Sequence, residues 1–557
     1  MKAKTFLLFL AAILLVNITG LFDGLFLGDS ALYAQISKSF VLSHNWWDIY
    51  VNGQDWLDKP HFPFWVCALF MQVLGCNAFA YKLPSVLFFF LALFYTYRLS
   101  VKLYDKDIAR IAVLILASSV HIIISNNDTR AEAMLLALII GSVYHLFTLS
   151  NSFSIKHLLL GSLLCAAAIM TKGIFVLIII FAAVFGHLLF KREFDKLLRV
   201  RWLVVLLLTI IFVLPELYGV YNQFDLHPEK VVFGKINVSG LKFFIWDSQF
   251  GRFFNTGPIK GSGDPFFFFH TLLWAFAPWA VLGYIALFAS IYAICKRKPL
   301  TEYLAIFGFV VMFIVFSVSR FQLPHYTNIL MPFLSILCAQ FLWNAKEKTW
   351  FRKTFRVSQI VYISVYIVVL LLVVLFFRAD NWLLTGTIFI AAFVALLLLW
   401  RRFQPGIFRL FYASIVCTML FLLYMNLVFY PKLLTYQSAS NAGEYVNAHY
   451  PENSVVNAFY DPLMEFSVNS EVQCLKGSFD HLKATDQRGK IIYYADQHFL
   501  DVLNDKHIRY NVIKEFEGFH ITLLNKRFFY YKTRSTSLER TSLIELIPYD
   551  NYANVKM

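Results

Sequence analysis

Charged residues are scarce in this chain of 557 residues. Asp, Glu, Lys and Arg together make up 15% of it, against 59% hydrophobic residues. Many apolar runs approach or exceed the roughly 20 residues that cross the hydrocarbon layer of a bilayer. This balance excludes an ordinary soluble domain and predicts a polytopic α-helical membrane protein.

Cysteine patterns that would indicate a stapled or metal-bound fold are also absent from the sequence. The seven cysteines are scattered, mostly within apolar runs, and no CxxC or metal-type spacing occurs. The sequence therefore predicts neither a disulfide framework nor a zinc cluster. It shows no internal repeat of solenoid type, and no inverted pair of broken helices of the kind that indicates a transporter.

The hydrophobic runs predict thirteen spans, so the two ends of the chain would lie on opposite sides of the membrane. The predicted spans are 5–27, 79–101, 108–125, 131–149, 156–170, 174–190, 202–222, 265–295, 302–319, 324–343, 357–378, 381–400 and 406–430. Alternate connections are basic, at 102–110, 191–201, 296–298, 346–356 and 401–409, which predicts that these connections are cytoplasmic. Anionic lipid headgroups then account for the net charge of +15 without nucleic acid.

Two regions are predicted from the change in composition near residue 431. Residues 1–430 would form the membrane domain, with long outward loops at 28–78 and 223–264. Residues 431–557 are polar and predict a small α+β domain outside the membrane, with strands at 454–459 and 490–494 and helices around 438–449 and 497–505. No motif in this second region indicates chemistry, which favours a lid or a docking module.

The first outward loop contains the most informative residues. Asp29 follows the first span directly, Tyr33 lies on a predicted short interfacial helix, and Asp58-Lys59-Pro60 comes about thirty residues later. A carboxylate at that boundary can accept a proton from an attacking hydroxyl, and a lysine suits a phosphate oxygen. Taken singly, each has a simpler reading, as a helix N-cap or as a lysine that reaches for headgroups.

Further charges occur at the outward ends of other spans. A lysine in the hairpin Met170-Thr171-Lys172-Gly173 is costly near lipid unless it meets an anion or water. Arg252 offers a forked contact to a phosphate, although a headgroup contact would also explain it. The remaining candidates are Asp128, Glu132, Arg320, His325 and Tyr326; a local ion pair or a structural turn would equally explain them. A negatively charged substrate at this surface would explain the four cations Lys59, Lys172, Arg252 and Arg320 together.

These motifs resemble membrane glycosyltransferases of the GT-C fold. Asp29-Ser30-Ala31-Leu32-Tyr33-Ala34 with Asp58-Lys59-Pro60 is similar to the first-loop signature of the bacterial branch that contains the 4-amino-4-deoxy-L-arabinose lipid A transferase and the protein O-mannosyltransferases. Met170-Thr171-Lys172-Gly173 resembles that family's Leu-Thr-Lys-Gly hairpin, and Leu323-Pro324-His325-Tyr326 its Leu-Pro-x-Tyr turn. The motifs cover about 1–345, and the layout of spans covers the whole chain.

The resemblance implies transfer of a sugar, with inversion, from a polyprenyl-phosphate carrier to an acceptor at the outer face of a bacterial inner membrane. That acceptor would be lipid A, a glycan or a protein hydroxyl. Asp29 would be the catalytic acid/base and Asp128 a supporting carboxylate. Lys59, Arg252 and Tyr326 would hold the donor phosphate, and the position of Lys172 and Arg320 at the same surface adds them to this set. The residues that would contact the acceptor or shape the site are Tyr33, Asp58, Glu132 and His325. The lack of a Rossmann-type glycine-rich turn fits a donor that is not a nucleotide sugar.

The chain departs from the family pattern at four positions. Ser30 replaces the second acid of an Asp-Glu pair, Leu32 an arginine, Asp58 a glutamate, and His61 a second proline. In the lipid A branch that glutamate can hold a metal with a histidine; the matching pair would be Asp58 with His270. Because Asp58 is the shorter carboxylate, we expect no required cofactor and no metal.

Two other functions fit parts of the sequence. A polymerase or ligase of lipid-linked polysaccharide would place its arginines and a histidine in one large outward loop, whereas here the acids lie in the first two. A lipid or solute transporter would need ionisable residues along the interiors of its spans, whereas these charges lie at the outer ends. Both are less favoured than a single-sugar transferase.

Overall fold

The computed structural model describes residues 2–379, 381–475 and 482–548. Within these ranges, nine helical segments are long and apolar enough to cross a membrane, or ten if one bent pair counts as a span. Three shorter apolar helices, Val176–Phe190, Ala280–Cys295 and Leu304–Val318, occupy the remaining predicted spans. The chain is therefore a multi-pass helical membrane protein, as predicted.

The helices of the membrane domain follow the apolar runs. They are α1 Ala3–Thr19, α2 Asp29–Ser43, α3 Phe62–Leu74, α4 Ala78–Leu103, α5 Lys106–Ala117, α6 Val120–Asn127, α7 Ala131–Asn151, α8 Ile155–Lys172, α9 Val176–Phe190, α10 Phe194–Leu197, α11 Arg201–Val220, α12 Gly240–Lys242, α13 Phe267–Ala275, α14 Ala280–Cys295, α15 Leu304–Val318, α16 Met331–Ala345, α17 Thr349–Leu372, α18 Trp382–Arg402, α19 Ile407–Tyr424 and α20 Tyr430–Leu434. Short 3-10 turns cover Gly20–Phe22 and Pro324–Leu330, and π-helical turns cover Tyr221–Asp225, Phe243–Gly251, Val373–Phe377 and Met425–Phe429.

Two predicted spans are broken in the structure, and the two breaks meet. The predicted span 108–125 bends by 55° between α5 and α6, and the predicted span 265–295 separates into α13 and α14. The backbone N–H of Val120 donates to the carbonyl of Ala277 at 3.1 Å, and the indole N–H of Trp279 donates to Ser118 Oγ at 3.0 Å. Each break thus supplies partners for polar groups that the other exposes.

The C-terminal region is an α+β domain. Its helices are α21 Ser438–His449, α22 Pro462–Ser467, α23 Gln497–Asp505 and α24 Lys526–Phe529, and its five-stranded sheet has the order β4-β3-β7-β9-β8, with strands β3 Val455–Asn457, β4 Val472–Cys474, β7 Ile492–Asp496, β8 Tyr510–Gly518 and β9 Glu539–Leu546. A small hairpin in this domain pairs β5 Thr485–Asp486 with β6 Gly489–Lys490. Another hairpin, in the loop 28–78, pairs β1 Tyr50–Val51 with β2 Gln54–Asp55. The predicted domain covers 431–557, and its residues 476–481 and 549–557 lie outside the described residues.

This domain shares an apolar core with the first loop. Ile36 and Phe40 of α2 belong to the same buried cluster as Ala442 of α21 and Tyr494 of β7. A lysine reinforces the contact, because the ammonium of Lys38 donates to three carbonyls at the end of α22, those of Glu465, Phe466 and Val468. The domain therefore packs firmly on the helix that begins with Asp29.

Candidate active site

Asp29 is the first residue of α2, and two features hold the chain that leads to it. Gly28 precedes it with φ +116°, a backbone conformation that favours glycine. The buried ammonium of Lys82, on α4, donates to the carbonyls of Gly20, Asp23 and Gly24 in the connection that leads to α2. The helix N-terminus favours a negative charge at Asp29, whose side chain remains 43% exposed.

Arg130 connects the two acids that the sequence selected as catalytic. Its Nη1 donates to Asp29 Oδ2 at 2.9 Å, and its guanidinium lies 3.1 Å from Asp128 Oδ2. Nη1 also donates to His325 Nδ1 at 3.4 Å. Since a guanidinium cannot accept, His325 Nδ1 carries no proton, and its N–H lies on Nε2.

His325 continues this polar chain toward Lys172. Its Nε2 lies 3.7 Å from Glu132 Oε2, and the other carboxylate oxygen of Glu132 accepts from the ammonium of Lys172. Glu132 is only 2% exposed, so its charge depends on these partners. The ammonium of Lys172 also lies 4.2 Å from the ring centroid of Tyr326, a cation–π contact.

Asp58 holds the other two cations of the site. Its Oδ2 accepts from Lys59 Nζ and its Oδ1 from Arg252 Nη2. Burial alone would raise the pKa of Asp58, but the charges of Lys59 and Arg252 outweigh it and hold the pKa below its usual value. Burial lowers the pKa of Lys59, an effect that Asp58 opposes and Arg252 reinforces. The group is an ionised carboxylate between two cations.

A cavity of about 90 Å³ lies between these two groups. Its polar wall consists mainly of Asp58, Lys59, Glu132, Lys172, Arg252 and Tyr326. Much of the rest is apolar and includes Met312, Val315 and Phe316 at the end of α15. Three cations face two carboxylates, so the lining carries one uncompensated positive charge.

Tyr33 lies on α2, one turn after Asp29, and does not line the cavity. It is 5% exposed and its ring meets Phe64 edge-on at 5.3 Å. Burial, together with the negative charges of Asp29, Asp58 and Glu132, raises the pKa of Tyr33 well above its usual value. The hydroxyl is therefore a neutral hydrogen-bond donor among acids that belong to both groups.

The side chains around Asp58 do not fit a metal ion. Both of its oxygens are already bound by cations. His270 lies on α13 with its ring against Phe267 and does not line the cavity. Across the described ranges, no three His, Cys, Asp or Glu side chains are grouped as a metal would require.

The structure brings together most of the residues that the sequence selected. Arg320 is the exception among the cations, because it is exposed at the end of α15 and does not line the cavity. Asp128 contacts Arg130 rather than the cavity.

Two connections were missed by the sequence reasoning. The sequence did not select Arg130 as a site residue, and its contact with Asp29 spans 101 positions. The second is the pair His61–Glu216, whose ring Nδ1 and Oε1 lie 3.0 Å apart. An acid inside the predicted span 202–222 was a signal for it, because such a residue needs a polar partner.

The sequence of this chain is similar to those of known proteins over little more than half of its length. The family model of dolichyl-phosphate-mannose-protein mannosyltransferases matches residues 58–218. Undecaprenyl phosphate-alpha-4-amino-4-deoxy-L-arabinose arabinosyl transferase 1 from Pseudomonas fluorescens is 27% identical over 322 residues, 56% of this chain and 52% of the relative. The corresponding transferase 2 from Proteus mirabilis is 24% identical over 345 residues, 61% of this chain and 59% of the relative. The chain thus matches little more than half the length of these relatives.

Similarity to solved structures extends over the whole chain. ArnT from Cupriavidus metallidurans bound to undecaprenyl phosphate superimposes with a TM-score of 0.73 and 16% identity, covering 100% of both chains. The same protein in its apo state gives a TM-score of 0.71 over 98% of both chains. The predicted GT-C architecture, a polytopic helical domain followed by a small α+β domain, is confirmed, and so is the resemblance drawn from the motifs.

Proposed function

We propose that this protein is an inverting glycosyltransferase that moves a sugar from a polyprenyl-phosphate donor to an acceptor hydroxyl at the outer face of the inner membrane. The observation that carries the proposal is the cavity between Asp58, Lys59, Glu132, Lys172 and Arg252, which a polar chain connects to Asp29. Relatives named as undecaprenyl-phosphate-sugar transferases support the donor class.

The charge of the lining suits the donor phosphate. A sugar–phosphate–lipid diester carries one negative charge, which would neutralise the single excess positive charge of the cavity. Departure of the sugar leaves a phosphate monoester of higher charge. Lys59, Lys172 and Arg252 would therefore interact more strongly with the leaving group than with the bound donor, which is what lowers a barrier.

Asp29 would serve the acceptor. The acceptor oxygen forms a bond to the anomeric carbon while the bond from that carbon to the phosphate oxygen breaks, and the hydroxyl proton passes to Asp29. Because Asp29 is 43% exposed, an acceptor can reach it from the aqueous side. Arg130 would hold its carboxylate in place, and Tyr33 would donate a hydrogen bond to substrate oxygens between the two groups.

The distribution of basic residues supports the outer face as the site of reaction. The connections at the opposite end of the spans, such as 191–201 and 346–356, carry clusters of Lys and Arg and are expected to be cytoplasmic. The apolar wall near Phe316 would receive the first isoprenoid units of the donor. The acceptor would be lipid A, a glycan or a protein hydroxyl.

Sugar transfer by purified protein in liposomes would test the proposal. Undecaprenyl phosphate carrying a radiolabelled aminopentose or hexose would be supplied with candidate acceptors, and product would be followed by mass. We expect undecaprenyl phosphate to be released as sugar is transferred, and we expect this reaction to depend on Lys59. Lys59→Met should raise the KM for the donor at least tenfold. A Lys242→Met control, at an exposed position, should retain wild-type kinetics. Undecaprenyl phosphate that neither binds nor inhibits would contradict the proposal.

A further inference from the structure

His61 and Glu216 form a buried pair beside the residues that line the cavity. His61 is 1% exposed and Glu216 0% exposed. Neither lines the cavity, whereas Asp58, Lys59 and Pro60, the three residues that precede His61, all do. The pair therefore lies next to the site without belonging to it.

Each nitrogen of the histidine has an acceptor as its partner. Nδ1 lies 3.0 Å from Glu216 Oε1, and Nε2 lies 2.9 Å from the carbonyl oxygen of Trp47. The backbone N–H of His61 donates to Glu216 Oε2 at 3.0 Å, as suits an ionised carboxylate. Because a carbonyl and a carboxylate only accept, both ring nitrogens carry hydrogen, and the ring is an imidazolium.

Other side chains and α11 pack closely around the ring. Trp65 and Phe40 pack against it, with ring centroids 5.1 Å and 6.4 Å away. A Cβ at Gly219, one turn beyond Glu216 on α11, would lie 3.2 Å from His61 Cε1. The charged groups that act on the ring are Glu216 and, more weakly, Asp48. Both are acids, so they favour the protonated form.

We propose that the His61–Glu216 ion pair is a positioning device for the donor-phosphate site: it anchors the turn Asp58-Lys59-Pro60 to α11 and thereby sets where Lys59 meets the phosphate. The restricted φ of Pro60 transmits the position. The role of Lys59 rests on the proposed function; the anchoring itself is a property of this chain's own contacts.

Binding of undecaprenyl phosphate to purified protein in nanodiscs tests this without any transfer step. His61→Gln and Glu216→Gln should each weaken binding about tenfold, and the double variant should be little worse than either single one, because both changes remove the same pair. His227→Gln is the matched control, since His227 and Glu229 also lie 3.0 Å apart but are exposed. Its affinity should equal that of the wild type.

The pH dependence separates positioning from a merely structural role. Burial lowers the pKa of His61, but Glu216 outweighs burial and raises it above its usual value. Affinity should therefore fall as pH rises through that pKa, and Glu216→Gln should move this fall to lower pH. Titration of Lys59 adds its own alkaline loss in both proteins. A pH profile of Glu216→Gln that coincides with that of the wild type, with no part of the loss moved to lower pH, would overturn the proposal.

The affinity of the single variants can also contradict the proposal. Folded His61→Gln protein with wild-type affinity would overturn the proposal. If that variant does not fold, Gly219→Ala replaces it, because it displaces the ring by a few tenths of an ångström and keeps both charges; unchanged affinity there is equally contrary. Should Lys59→Met itself bind undecaprenyl phosphate normally, the proposed function fails. If Lys59→Met loses binding and His61→Gln does not, only the positioning role fails.

Discussion

Asp29 and Arg130 form a 2.9 Å ion pair across 101 positions of the chain. The pair is partly solvated, with side chains 43% and 27% exposed, so it contributes roughly 0–1 kcal/mol to stability. Its consequence is geometric, because it connects the carboxylate at the start of α2 to the turn that carries Asp128.

Arg130→Gln should separate activity from stability. Without the guanidinium, Asp29 loses the contact that orients it, and a misplacement of about 1 Å can lower a rate about 10²-fold. We expect a large loss of kcat, a donor KM within a few-fold of the wild type and an unchanged melting temperature. Steady-state kinetics with thermal melting checks this. Equal losses of turnover and stability would indicate a structural role instead.

Asp58→Asn should destabilise the site, and the donor phosphate should compensate. The change leaves Lys59 and Arg252 facing each other without an anion. Loss of one partner from a fully buried pair costs about 3–5 kcal/mol, and we expect on the order of 2 kcal/mol in this partly solvated site. Undecaprenyl phosphate should restore more stability to this variant than to the wild type. Asp195→Asn, at an exposed pair with Arg199, is the control.

The same pair has a defined dependence on pH. The folded pKa of Asp58 is lowered from its usual 3.8, so the unfolded chain binds this proton first as pH falls. The stabilisation by Asp58 is therefore complete above about pH 4 and is lost as pH falls through the lower folded pKa. Melting of wild type and Asp58→Asn should differ at pH 7 and converge in acid. A constant difference across that range would contradict the assignment.

Substitution of Arg252 and of Arg320 should affect donor binding differently, although the sequence predicted both as phosphate ligands. Arg252 lines the cavity and binds Asp58, whereas Arg320 is exposed outside it. We expect Arg252→Gln to raise the donor KM at least tenfold and Arg320→Gln to change it less than twofold. Donor titrations of both variants decide the matter. Equal effects would restore Arg320 to the site.

Lys38→Met should loosen the C-terminal domain from α2. Lys38 is 2% exposed, and its ammonium serves three carbonyls at the end of α22. Unsatisfied buried groups cost about 1–3 kcal/mol, so the melting temperature should fall and proteolysis near α22 should increase. Lys242→Met provides the exposed comparison. If proteolysis is unchanged, the lysine does not hold the two parts together.

The fold could be predicted well because its signals are local. Long apolar runs set the spans, and the polar strand pattern after residue 431 predicted the α+β domain. The breaks between α5 and α6 and between α13 and α14 were missed, although Ser118-Ser119 and Pro278 mark them in the sequence. Proline interrupts a helix because it lacks a backbone N–H. These breaks depend on contacts such as that of Val120 with Ala277, which are far apart in sequence.

The site was predicted in part, for a related reason. Motifs identified Asp29, Lys59, Lys172 and Tyr326 from their neighbours in sequence. The pairs Asp29–Arg130 and His61–Glu216 join residues 101 and 155 positions apart. One sequence shows which charges need partners but not which partners they find.

Asp29→Asn tests the central claim most directly. Purified wild-type and variant proteins would be compared for binding of undecaprenyl phosphate and for transfer of sugar from its glycosylated form. The account predicts equal binding and a loss of transfer of about 10²–10⁴-fold, the usual contribution of a positioned base. Transfer at the wild-type rate by the folded variant would contradict it.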